Sequence, residues 1–166
     1  MNTTLTTEQR KLYQNSDIIR DILGFAKNIA VVGLSSETQK ASNMVASYLR
    51  DEGYRVIPVN PRSEKILGEK CYPSLSDIPE KIDIVDIFRP SSEIHAIVGQ
   101  AIDIKAKAVW MQLRIINFPA ADTAIKAGLY VVMDKCIKME HGRYTGGLHN
   151  AGMNTEIISA RRAQSR

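Results

Sequence analysis

The sequence predicts an α/β fold, a mainly parallel sheet of about five strands with helices on both faces. Three observations predict it. Short apolar runs rich in β-branched residues recur along the 166 residues, each continuous enough for a strand buried on both sides. The intervals between them are long enough for a helix, and several carry apolar residues at helical spacing. Gly, Pro or polar residues close most runs, where a chain must turn out of a sheet. Strand–helix–strand alternation of this kind builds a parallel sheet through crossover connections.

Taken in order, Thr7 to Phe25 reads as an amphipathic helix with Leu12, Ile18, Ile19, Ile22 and Leu23 on its apolar side. Asn28 to Gly33 is the first strand. Ser42 to Gly53 follows as a helix, apolar at Val45, Ala46, Tyr48 and Leu49, with Gly53 as its stop. Arg55 to Asn60 is the second strand, and Pro58 inside it argues for a position where no backbone N–H is needed, or for the strand's end. Asp83 to Phe88 is the third strand, followed by a helix from Ser91-Ser92-Glu93, with one of the serines as cap. Ala108 to Gln112, a helix from Ala120 to Gly128, and Leu129 to Met133 complete the set. The result is a doubly wound, Rossmann-like architecture in a single domain over 1–140, with a Gly-rich segment and a basic tail over 141–166.

Composition narrows the function. With 44% hydrophobic and 24% charged residues the chain is an ordinary globular protein. No run approaches the ~20 apolar residues of a membrane span. Met1 to Arg10 shows neither the apolar core nor the small-residue cleavage site of a secretory signal, so the cytoplasm is the expected address. Cys71 and Cys136 form no C-x-x-C pair and have no clustered His, which argues against a metal site or a disulfide framework. The net charge of +4 raises nucleic acid as a partner. Arg161, Arg162 and Arg166 supply much of it, however, and a basic end on a balanced domain reads as a solvated tail. An anionic small molecule suits the same surplus. The tail from Asn154 is also a candidate docking helix for a protein partner or a second copy.

Ligands of doubly wound sheets bind beyond the carboxyl ends of the strands, so the loops there carry the functional signal. The first is Gly33-Leu34-Ser35-Ser36-Glu37-Thr38-Gln39-Lys40. Gly33 allows a sharp exit and a close approach of backbone to a ligand. Ser35, Ser36 and Thr38 offer hydroxyls, the following helix start offers free N–H groups, and Lys40 adds a charge. This is a phosphate-binding chemistry, although the loop is neither G-x-G-x-x-G nor a Walker loop. After the second strand an NAD site carries an Asp or Glu for the ribose. Here Asn60-Pro61-Arg62 stands instead, which suits a ribose phosphate, as in NADP or coenzyme A. Phe88-Arg89-Pro90 and Gln112-Leu113-Arg114 close the third and fourth strands. Phe88 reads equally as core, and Trp110 as core packing.

Together these segments resemble the coenzyme A-binding domain family. The resemblance rests on Ile29 to Ser35, Lys40, Val56 to Pro61, Leu67-Gly68, Tyr72 to Ile78, Asp83 to Phe88, Val109 to Gln112 and Val131 to Cys136. More distantly, the chain is similar to the N-terminal domain of the succinyl-CoA synthetase α subunit. The resemblance implies that coenzyme A lies along the strand ends. Gly33, Leu34, Ser35, Ser36 and Thr38 would hold its phosphates or ribose. Lys40 and Asn60-Pro61-Arg62 would meet the adenosine phosphate end. Phe88-Arg89-Pro90 and Gln112-Leu113-Arg114 would flank the adenine or pantetheine arm. The family often carries Gly where this chain has Arg114, two residues after Gln112.

No catalytic set emerges. His95 falls on a helix, and His141 and His149 fall in the Gly-rich stretch, with no nucleophile and carboxylate at a telling spacing. Asp86 is mid-strand. Cys136, between Lys135 and Lys138, reads either as a partly buried structural cysteine or as a thiol facing that of coenzyme A. The expected function is binding of coenzyme A or acyl-CoA by a carrier, sensor or accessory subunit. An NADP- or acyl-CoA-dependent enzyme and a nucleotide-responsive regulator are the alternatives.

Overall fold

The computed structural model describes residues 4–145. His149 and the tail from Asn154 lie outside them. The elements are α1 (Thr7–Tyr13), α2 (Ser16–Phe25), β1 (Asn28–Val32), α3 (Ala41–Asp51), β2 (Arg55–Val59), β3 (Lys65–Ile66) and β4 (Glu69–Lys70). They continue with β5 (Ile84–Ile87), α4 (Ile94–Asp103), β6 (Ala108–Met111), α5 (Phe118–Lys126), β7 (Tyr130–Val132) and α6 (Ile137–Tyr144). Five strands form one parallel sheet in the order β2-β1-β5-β6-β7. The chain leaves β1 toward one edge and β5 toward the other, so the topological switch lies between these two strands.

Strand alternation divides the core into two faces. Ala30, Val32, Val85, Ile87, Val109 and Met111 face α4 and α5. Ile29, Val31, Ile84, Trp110 and Val132 face α2, α3 and α6. Trp110 is fully buried, as its core reading requires, and its indole N–H donates to the Lys135 carbonyl at 2.8 Å. Pro58 sits in β2, an edge strand of the sheet. Its carbonyl accepts the Tyr72 amide at 3.0 Å.

Several expected boundaries move, each for a local reason. The single N-terminal helix is two. Asn15 caps a new helix by accepting the amides of Asp17 and Ile18, and the Gln14 side chain donates to the carbonyls of Met133 and Asp134. Neither serine caps α4 with its side chain. Ser91 to Glu93 form a 3₁₀ turn, and the Ser91 carbonyl accepts the Asn117 side-chain amide instead. The helix expected from Ala120 starts at Phe118, because Asn117 caps it and Pro119 suits its first turn. His141 belongs to α6, where it is buried and its Nδ1 lies 2.8 Å from the Tyr48 hydroxyl.

Candidate ligand site at the carboxyl edge

Gly33 follows β1 directly, with φ +85°. A Cβ there would lie 2.6 Å from the Phe88 carbonyl oxygen and 2.7 Å from Cδ of Arg89. The close approach that needs glycine is therefore to the loop after β5, which it brings against the β1 loop at the switch point. Asn60 fastens the third side. Its Nδ2 donates to the Leu34 carbonyl at 2.9 Å, while its Oδ1 accepts the Arg62 amide at 2.8 Å. Asn60 thereby positions both loops.

The three loops enclose a crevice of about 480 Å³ bordered by Gly33, Ser35, Asn60, Pro61, Arg62 and Arg89. Six of the expected binding residues thus converge. The loop after β1 is tied to the first turn of α3 and to itself. The Ser35 amide donates to Ser42 Oγ, the Ser35 carbonyl accepts from the Asn43 side chain, and the Ser35 hydroxyl accepts the Glu37 amide. No side chain caps α3, so its first-turn amides keep the positive end of the helix dipole at this edge. Ser36, Thr38 and Lys40 are exposed on the outer part of the loop, with Lys40 only loosely paired to Glu37 at 3.9 Å.

Other expected residues stand elsewhere. Leu34 is fully buried in the core. Phe88 is half-buried against the face that holds Trp110, and Pro90 is exposed. Gln112 is buried and donates to Asp86 Oδ1 at 2.5 Å. Leu113 and Arg114 line a second hollow, of about 810 Å³, that also receives Arg10, Lys11 and Lys135.

Sequence reasoning missed the carboxylate of the crevice. Glu93 grips Arg89 through two hydrogen bonds of 2.7 Å, and that contact raises the guanidinium pKa and lowers that of Glu93. The i, i+4 spacing was the available signal. Ser74 and Gln100 also border the crevice, brought there by the crossing from β2 to β5 and by α4. The donor set is two guanidinium groups, hydroxyls and amides beside one carboxylate. That chemistry suits an anionic ligand.

A doubly wound parallel sheet with helices on both faces and a cation-bearing crevice at its switch point defines a Rossmann-like α/β domain, the class whose ligands bind at that point. Comparison with known proteins is specific: residues 27–142 match the model of the CoA binding domain, and the chain belongs to that family. Bacillus subtilis YneT is 39% identical over 123 residues, 74% of this chain and 91% of that protein. A structure of a hypothetical protein from Pyrococcus horikoshii OT3 superimposes with a TM-score of 0.75 at 42% identity, covering 86% of this chain and 94% of that one. Acetate–CoA ligase [ADP-forming] II of Archaeoglobus fulgidus is 33% identical over 84 residues, 49% of this chain but 12% of the ligase. Among the described residues no helix is long and apolar enough to cross a membrane.

Proposed function

We propose that the crevice between Gly33, Arg62 and Arg89 binds coenzyme A or an acyl-CoA, and that the protein serves as a carrier, sensor or accessory subunit without chemistry of its own. The observation that carries this reading is the convergence of three loops, distant in sequence, on one cation-bearing crevice at the switch point. It is supported by membership of the CoA-binding domain family. Arg62 after β2, in place of a ribose-binding carboxylate, favours a ligand with a ribose phosphate. An accessory role draws support from the relative named as the α subunit of an acetate–CoA ligase in Pyrococcus furiosus.

Isothermal titration with coenzyme A, its 3′-dephospho form, NADPH and NAD tests the proposal. Coenzyme A should bind most tightly. Arg62→Ala should weaken coenzyme A by about tenfold, the worth of one charge-assisted contact, and dephospho-CoA far less. NADPH binding with no response to coenzyme A would overturn it.

A further inference from the structure

We propose that the second hollow, beyond β6 and β7, binds a small organic polyanion, a metabolite carrying two or more carboxylate or phosphate groups. The inference goes beyond the coenzyme A reading and does not depend on it, because no residue that lines the hollow borders the crevice.

Three parts of the chain build the hollow. α1 is fastened to the turn after β7: the Gln14 side chain donates to the carbonyls of Met133 and Asp134 at 3.1 and 3.2 Å, and the Met133 amide donates to the Tyr13 carbonyl at 3.1 Å. Arg10 and Lys11 stand four and three residues before Gln14, so they share its side of the helix and reach the same hollow. The turn after β6 brings Arg114, whose amide is held by Asp134 at 2.6 Å. α6 brings Glu140 and Arg143, each only 3% exposed, with Glu140 Oε1 3.6 Å from Arg143 and 3.8 Å from Lys135.

The charges do not balance. Arg10, Lys11, Arg114, Lys135 and Arg143 line the hollow against two carboxylates, Asp134 and Glu140. Glu140 is already shared between Lys135 and Arg143, and Asp134 is engaged by a backbone amide. Among the described residues Arg10, Lys11 and Arg114 make no ion pair. A concave site lined by one sign of charge concentrates the opposite ion, and a surplus of three asks for more than a monoanion. Guanidinium groups add a planar fork that matches carboxylate and phosphate alike.

Two further observations separate this hollow from a solvated basic face. Burying charged groups is costly, yet Glu140 and Arg143 are buried in its lining. Arg114 holds φ +66°, where the resemblance implies glycine, so the chain keeps a long cation at a strained position. Strain of this kind collects at ligand sites. The volume, about 810 Å³, falls in the range of roughly 300–1,000 Å³ typical of small-molecule sites, which favours a metabolite over a macromolecule.

Isothermal titration of the full chain at low salt, with citrate and fructose 1,6-bisphosphate as probes and acetate as the monoanion, tests the proposal. At least one polyanion should bind once per chain, at least tenfold more tightly than acetate, and more weakly as salt rises. Arg114→Gly should lose about tenfold in affinity, the worth of one charge-assisted contact, while its resistance to urea rises, so unfolding cannot account for the loss. Arg10→Ala, on the exposed side of α1, should lose as much and provides the same test should Arg114→Gly fail to fold. Lys126→Ala, which removes a cation that does not line the hollow, should bind as the wild type does. Polyanions that bind no better than acetate, or that bind Arg114→Gly and Arg10→Ala undiminished, overturn the inference. Binding of poly-aspartate but of neither small probe overturns it in favour of an acidic macromolecule. Displacement of a bound probe by coenzyme A overturns it and leaves the coenzyme A reading standing, whereas probe binding in a chain that ignores coenzyme A sinks that reading alone.

Discussion

The backbone amide of Arg114 donates to Oδ1 of Asp134 at 2.6 Å, and both residues hold left-handed backbone, with φ of +66° and +56°. The turns leaving β6 and β7 are thus locked together in a conformation that costs an L-residue about 1–2 kcal/mol each. The resemblance to the CoA-binding domain family implies glycine at position 114, and a φ of +66° is a conformation that glycine adopts freely. Arg114→Gly should keep the amide donor and remove the strain, with part of the gain lost to the freer unfolded chain. We expect a rise of about 0.5–1 kcal/mol in urea unfolding. Asp134→Ala should lower stability by about 1–2 kcal/mol through loss of a charge-assisted hydrogen bond.

Gly33 is the opposite case, a position that admits no side chain. Alanine there would face both a left-handed φ and a carbonyl oxygen at 2.6 Å. Because the obstacle at Phe88 is backbone, rotamer changes cannot clear it, and the β1 and β5 loops must separate. Gly33→Ala should cost about 2–4 kcal/mol by the sum of strain and overpacking. Coenzyme A affinity should fall with it even under conditions where the variant stays folded, since the loops it displaces border the crevice.

The strands were legible because a parallel sheet buried on both faces needs short apolar runs, rich in β-branched residues in β1 and β5 and apolar throughout in β6. What escaped depended on partners far along the chain. The break between α1 and α2 is set by Gln14 reaching carbonyls 119 and 120 positions away. The β3–β4 pair has two residues per strand, too short for any periodicity, and turns through Leu67 and Gly68 at positive φ. At the site, Asn60 and Arg89 were found by their position at strand ends. Their engagement was not, because a side chain that fastens a loop and one that holds a ligand have the same residue type. Gln112 shows this most plainly: a polar residue at a strand end, it turns inward to Asp86.

Glu93 tunes the crevice by holding Arg89 in a bidentate pair on a surface where both side chains are nearly half exposed, at 46% and 44%. An ion pair in such surroundings is screened by solvent and holds weakly, so it competes with a ligand phosphate without excluding it. Glu93→Gln removes the negative charge beside the site and leaves Arg89 available. Coenzyme A should bind roughly two- to fivefold more tightly at low salt, with the gain fading as ionic strength rises. Arg89→Ala should weaken binding instead, and calorimetric titration at two salt concentrations distinguishes these outcomes.

Asp86 gives the fold an unusual pH response. Burial holds its carboxyl at about 7 in the folded chain against 3.8 for the ordinary group. Between those values the folded protein keeps a proton that the unfolded chain has released. Its contribution to stability is therefore complete below about pH 4, declines as pH rises, and is lost once pH passes 7. A difference of about three units corresponds to roughly 4 kcal/mol. Asp83 and Glu80, whose carboxyls are lowered by backbone amides, Lys107 and Arg55, act in the opposite sense at the acid end. The Asp86 component is isolated by subtraction. Asp86→Asn cannot titrate, so the stability of the wild type relative to this variant should fall by a few kcal/mol between pH 4 and 8 in chemical unfolding. A constant difference across that range would show that Asp86 is ionised throughout.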